Sequence, residues 1–273
     1  METFSVRDGV IEAAADGHGE PVLLIHGSII ADAFLPLTRE SVLTDRYQLI
    51  TYHRRGFAGS TRPVGSFSIV EQAADAAAVL EHFNLGRAHI AGQSYGGVIA
   101  LQLALDTPNV VSSLALLEPA LMGVPSASEF FEAVEPVQAA YESGDKAEAI
   151  EGFAQLVGGP DYRATLERTL PAGWFEQAVD DAETFFRIEV PALQEWAFTP
   201  ELASRLTMPV LAVLGAESAP LFVEGHRLLK QWLPQSEPFV LPGATHLLQM
   251  ADPGRMAAGL ASFFVRHPIS VAA

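Results

Sequence analysis

The chain predicts an α/β protein: a mostly parallel, doubly wound sheet with helices on both faces and a helical cap inserted after the sixth strand. Three observations predict it. Short apolar runs alternate with segments of helical period along most of the 273 residues. That alternation stops between residues 121 and 206, where only helical patterns continue. Gly92-Gln93-Ser94-Tyr95-Gly96 stands where an apolar run gives way to a helix, the setting in which Gly-x-Ser-x-Gly makes a nucleophile elbow.

The elements follow in order. Asp8-Gly9 separates Thr3–Arg7 from Val10–Ala14 and reads as the turn of a β-hairpin. Pro21–Ile25 is a buried strand ending at His26-Gly27, and Tyr47–Tyr52 is the next, ending at His53-Arg54-Arg55-Gly56. A helix is expected between them over Ala33–Leu43. Ser68 caps a helix reaching about Phe83, because Val70, Ala73, Ala74, Ala77 and Leu80 recur at helical spacing. Arg87–Ala91 is the strand before Ser94, a helix starts near Gly97, and Ser113–Leu117 is a strand ending at Glu118-Pro119. Helices are expected over Ser128–Glu142, Asp145–Val157, Asp161–Thr169 and Trp174–Trp196, punctuated by Gly158-Gly159-Pro160 and Pro171-Ala172-Gly173. Alternation resumes with strands at Pro209–Gly215 and Pro238–Leu241 and helices at Leu221–Trp232 and Pro253–Val265. Residues 1–120 and 207–273 therefore read as the core, and 121–206 as the cap.

Composition narrows the function. Sixteen basic against 33 acidic residues leave a net charge of −17, which disfavours nucleic acid and anionic membranes as partners. There is no cysteine, so disulfides, thiolate nucleophiles and sulfur-ligated zinc are excluded. His18, His82, His89, His226 and His267 lack partners at metal-ligand spacing, and no Gly-x-Gly-x-x-Gly follows a first strand. No metal and no cofactor are expected. The polar N-terminus lacks the pattern of a signal peptide and no apolar run reaches the length of a membrane span. A cytoplasmic protein is the expectation, monomer or homodimer being open.

His26, His53, Ser94 and Glu118 all fall at carboxyl ends of strands, where open α/β sheets bind ligands. Serine needs a neighbouring base to become a nucleophile. His246 is the candidate, in a Pro- and Gly-containing loop after the last strand. The chain order serine, acid, histidine is that of this elbow type.

On His26-Gly27, Arg55-Gly56-Phe57-Ala58-Gly59-Ser60, Gly92-Gln93-Ser94-Tyr95-Gly96 and Gly243-Ala244-Thr245-His246, the chain resembles the α/β-hydrolase superfamily in its capped form. The resemblance implies that the backbone N–H groups of Ser28 and Tyr95 form an oxyanion hole. It also implies that the His53-Arg54-Arg55 turn is structural. The acid departs from the common pattern. Many relatives place an aspartate where Ser218 stands. Glu217, one residue early, is the second choice. Glu118 is the first, because it sits directly at a strand end, is followed by Pro119, and matches the acid's position in some members.

The expected function is a cofactor-free serine hydrolase that cleaves a carboxylic ester or lactone of a hydrophobic small molecule. Carbon–carbon bond hydrolysis, cofactor-free perhydrolysis and ligand binding on a hydrolase scaffold are the alternatives, since a shared constellation does not set the substrate. Among the cap's apolar residues, Met122, Phe131, Trp174 and Trp196, with Leu247 beside the histidine, are expected to line the pocket.

Overall fold

A computed structural model describes residues 1–269. Eight strands form one sheet: β1 (Glu2–Val6), β2 (Gly9–Gly17), β3 (Glu20–Ile25), β4 (Tyr47–His53), β5 (Ala88–Gln93), β6 (Val111–Leu117), β7 (Val210–Gly215) and β8 (Glu237–Leu241). Their order is β1-β2-β4-β3-β5-β6-β7-β8. β1 and β2 pair antiparallel, β2 joins β4 antiparallel, and the rest of the sheet is parallel.

The period-2 geometry of strands divides the core into two layers. Leu23, Ile25, Ile90, Leu114 and Leu116 face the helices Ile69–His82 and Tyr95–Asp106. The intervening Val22, Leu24, Ala91, Ala115 and Leu117 face the helix Pro253–Arg266 on the other side. Strands buried on both faces read as continuous apolar runs, which is why they stand out in the sequence. Ser68 and Glu71 close a reciprocal capping box at the start of the Ile69–His82 helix.

Between β6 and β7 every regular element is helical: Ala127–Glu142, Lys146–Gly158, Tyr162–Thr169, Trp174–Asp180, Ala182–Glu195 and Pro200–Ala203. Side chains fasten this block to the sheet's carboxyl edge. Thr184 donates to the Gly56 carbonyl at 2.7 Å, and Asp181 accepts from the Ala58 N–H at 3.0 Å. Glu224 accepts from both the N–H and the hydroxyl of Ser126. No helix among the described residues is long and apolar enough to cross a membrane.

Three local expectations need correction. The first turn is Arg7-Asp8, because Gly9 already pairs with Val6. The helix expected over Ala33–Leu43 is a 3-10 turn, Leu35–Arg39, and a short helix, Ser41–Thr44, divided by extended Glu40. Pro36 supplies no N–H to a longer helix. The single helix expected over Trp174–Trp196 breaks at Asp181, whose carboxylate is used by Arg62 and Ala58. It then widens into a π-helical turn, Phe185–Glu189.

The sheet positions Ser94 by close backbone contact. A Cβ added to Gly92 would lie 2.3 Å from the Gly96 carbonyl oxygen, and one on Gly96 would lie 2.2 Å from that of Ile25. Neither neighbour is a side chain that can rotate away. Gly96→Ala is expected to destabilise the fold by at least about 2 kcal/mol, read as a fall in thermal midpoint.

His53, at the end of β4, is buried between two carboxylates: Nδ1 lies 3.0 Å from Glu12 Oε2 and Nε2 lies 3.1 Å from Asp32 Oδ1. Burial alone lowers its pKa, but the hydrogen bonds to Asp32 and Glu12 outweigh it and leave the value above the ordinary 6.5. The charged form is thus favoured in the folded protein. Its stabilisation is full below pH 6.5 and fades as pH rises through the raised folded value. His53→Gln should lower the melting temperature more at pH 6 than at pH 9. An equal loss at both would refute the assignment.

Candidate active site

Ser94 sits at the junction of β5 and the Tyr95–Asp106 helix with φ 55° and ψ −121°. Its N–H donates to the Leu117 carbonyl at 3.0 Å, carrying the sheet's ladder into the turn. Its carbonyl accepts from the N–H groups of Gly97 and Ala120. The strained backbone is thus held from both sides. The hydroxyl makes no hydrogen bond among the described residues.

His246 lies in the same cavity. Its ring stacks on Phe222, centroids 3.7 Å apart and planes within 10°. Nδ1 is 2.5 Å from Glu118 Oε2. Glu118 is the first residue beyond β6, with φ 47° and 2% exposure. Its other oxygen accepts from the Gly215 N–H at 2.6 Å, so β7 fixes a carboxylate that hangs from β6. With Nδ1 committed to Glu118, Nε2 is the imidazole's other hydrogen-bonding side, and the Gln93 amide reaches it. Gln93 Nε2 lies 3.4 Å from His246 Nε2 and donates to the His246 carbonyl at 3.2 Å, tying the histidine loop to β5.

Glu217 stands elsewhere. It is exposed in the loop beyond β7, and its N–H donates to the Ala244 carbonyl beyond β8. The structure brings Ser94, His246 and Glu118 together and leaves Glu217 in solvent.

Ser28 and Tyr95 both line the cavity. Neither backbone N–H has an acceptor among the described residues. Ile29, next to Ser28, is β-branched yet holds φ 58°, a costly conformation for such a residue. The turn behind them is built on Arg54, which is 2% exposed. Its Nε donates to the His26 carbonyl at 3.0 Å and its Nη2 to the Gly27 carbonyl at 2.8 Å. Nη1 donates to Gln72 Oε1 at 2.8 Å, and Gln72 donates in turn to the Tyr95 hydroxyl. Burial, and then the charge of Arg54, push the His26 pKa well below its ordinary value. Neutral His26 accepts the Arg54 N–H at Nε2, so Nδ1 carries the proton it shares with the Gly27 carbonyl.

The cavity is narrow, about 60 Å³, and its walls are almost wholly apolar. Met122 and Phe131 line it, as do Phe130, Val134, Phe153, Phe185, Leu193, Leu221 and Phe222. Leu247 lines an adjoining recess that also reaches Ser28, Ser94 and His246. Two expected lining residues stand apart. Trp174 packs edge-on against Phe175 within the helical block. Trp196 stacks on Phe198 in an outer groove and donates from Nε1 to Gln102. Trp174 opens the Trp174–Asp180 helix and Trp196 follows Glu195, so the two stand at opposite ends of the stretch, and their aromatic character alone did not place them.

Glu189 is the site residue that the sequence pattern missed. It lines the cavity at 1% exposure, with Oε1 2.6 Å from Arg54 Nη1. A glutamate in a helical stretch is ordinarily solvated, and the partner that buries it is Arg54, remote in sequence. No group of three or more His, Asp or Glu side chains among the described residues is placed to hold a metal ion.

Comparison with known proteins agrees with this architecture. RutD of Azorhizobium caulinodans, by provisional name a carbamate hydrolase, is 39% identical over 101 residues, 37% of this chain and 38% of that protein. The chain therefore spans well under half the length of that relative. The 3-oxoadipate enol-lactonase 2 of Acinetobacter baylyi is 24% identical over 268 residues, covering 92% of each chain. The crystal structure of the enol-lactonase from Burkholderia xenovorans LB400 superposes with a TM-score of 0.81 at 18% identity, over 97% of this chain and all of that one. A model of the alpha/beta hydrolase fold family matches residues 20–253. With that span inside one family and the sheet, elbow and strand-end carboxylate in place, the chain belongs to the alpha/beta-hydrolase fold family.

Proposed function

We propose that the protein is a serine hydrolase of a hydrophobic carboxylic ester or lactone, working through an acyl-enzyme on Ser94, with residues 121–206 as the cap over its site. The observation that carries this reading is the 2.5 Å contact of His246 Nδ1 with Glu118 in the cavity that holds Ser94. The carboxylate fixes the proton on Nδ1 and so leaves Nε2 basic toward the serine. The 24% identity to an enol-lactonase supports a cyclic or open ester as substrate class.

In the reaction, substrate enters beneath the cap and its carbonyl oxygen meets the N–H groups of Ser28 and Tyr95. Ser94 Oγ attacks the carbonyl carbon while His246 Nε2 takes its proton. Negative charge gathers on the carbonyl oxygen, where each donor contributes roughly 3 kcal/mol. The resulting imidazolium is stabilised by Glu118. His246 then protonates the departing alkoxide, and the carbon–oxygen bond breaks. Water, deprotonated by His246, attacks the acyl-enzyme and releases the acid and Ser94. The hydroxyl of Ser94 needs to swing toward Nε2, and such contacts tighten when substrate binds. The apolar walls favour aryl or alkyl acyl groups over charged ones.

A fluorophosphonate probe should label the folded protein and fail to label Ser94→Ala. A folded wild type that takes no label would point to a binding protein instead. In an aryl-ester assay Glu118→Gln should lower kcat by at least about 100-fold, with Glu217→Gln within about twofold of wild type. The reverse pattern would overturn the choice of acid.

A further inference from the structure

Glu189 has properties that the hydrolytic reaction does not use. Its carboxylate is almost completely buried, and its neighbours in the cavity wall are Phe185, Val190 and Leu193. Neither oxygen has an aligned hydrogen-bond donor among the described residues. Oε1 is in ionic contact with Arg54 Nη1, whose aligned hydrogen bond goes to Gln72. The other nitrogens of Arg54 are committed to the His26 and Gly27 carbonyls. Among the described residues, Oε2 therefore has nothing to accept from.

An irregular stretch of helix carries Glu189. Pro191 has no N–H, and a proline ring collides with the carbonyl four residues earlier in a regular α-helix. The helix opens instead into the π turn Phe185–Glu189, in which the Val190 N–H reaches back five residues to the Phe185 carbonyl. Such turns are often found at functional sites. Leaving a buried acceptor unsatisfied is expensive, and a ligand donor would relieve that cost.

We propose that Glu189 is the specificity-determining residue of this cavity, accepting through Oε2 a hydrogen bond from an O–H or N–H group on the substrate. The inference rests on the ester or lactone reading above and narrows it. The preferred substrate is an otherwise apolar ester or lactone that bears one hydroxyl or amide N–H on the part facing the cap. A site built to receive a hydrogen bond rejects an analogue without the donor far more strongly than it rejects a missing methylene.

The test uses the full chain and three matched sets of aryl esters: unsubstituted alkanoates, the same chains with one hydroxyl or one acylamino group at successive positions, and their O-methyl or N-methyl counterparts. Wild type should prefer a donor-bearing ester at one or more positions by at least about 10-fold in kcat/KM over both counterparts. The hydroxyl and acylamino arms identify which donor the site takes. Glu189→Gln keeps the volume and leaves an amide oxygen for Arg54, but places an N–H₂ donor where Oε2 stood. It should abolish or invert the preference, favouring the methylated esters, as read from the ratio of kcat/KM between matched esters on the same variant. Thermal melting establishes that the variant is folded.

Two results would overturn the proposal with the hydrolase reading intact: no donor preference at any position in wild type, or an equal fall on all three sets in Glu189→Gln. A wild type that takes the fluorophosphonate on Ser94 yet turns over no ester would overturn the ester reading, and this inference with it.

Discussion

The buried guanidinium of Arg54 is the interaction on which the geometry of the site depends. Taking such a cation out of water costs several kcal/mol, recovered only where acceptors surround it. Here they come from three separate parts of the chain. The carbonyls of His26 and Gly27 belong to the turn after β3, Gln72 to the first long helix, and Glu189 to the helical block, while the rings of Phe57 and Tyr95 lie 4.7 and 5.1 Å away. Each acceptor is therefore held in place by the need to satisfy one charge. The turn that carries Ser28 and the helical block share a common anchor, so neither can shift without the other losing compensation.

Backbone strain is concentrated around the same place. Ile29, Ser94 and Glu118 all adopt left-handed φ values at or just beyond the ends of β3, β5 and β6. Each costs of order 1–3 kcal/mol and persists only where neighbours dictate it. Ser94 is held by Leu117 and Ala120, and Glu118 by the N–H of Gly215 at its side chain and the carbonyl of Val213 at its backbone. Three parallel strands thus share the cost of presenting three residues at one edge, which a surface loop could not do with the same precision.

The parallel core was legible in the sequence because doubly buried strands leave long apolar runs; the Ile69–His82 helix was legible as a helix, but its buried face is set by Ile69, Ala73, Ala76, Val79 and Leu80, with Val70 and Ala74 turned to solvent. Ser94 and His246 were legible from glycine spacing and loop position. Preference for Glu118 over Glu217 came from its place at a strand end, where the backbone leaves a side chain little freedom. The helical block was less legible. Trp174 and Trp196 have the composition of pocket residues, but a kink at Asp181 and the widened turn at Phe185–Glu189 changed which way the surrounding positions face. Glu189 left no local signal at all, because its burial depends on a long-range charge partner and not on its neighbours in sequence.

The widened turn also has a consequence for how this protein could diverge. A π turn holds one residue more than an α-helix spanning the same rise, so it takes up an extra residue without turning the segment beyond it away from its neighbours. In the Phe185–Glu189 turn Pro191 keeps that residue in place, because its ring would strike the Arg187 carbonyl in the regular helix that a deletion would restore. A change of chain length in this block is thereby confined to one turn, and the strand ends that carry Ser94 and Glu118 do not register it.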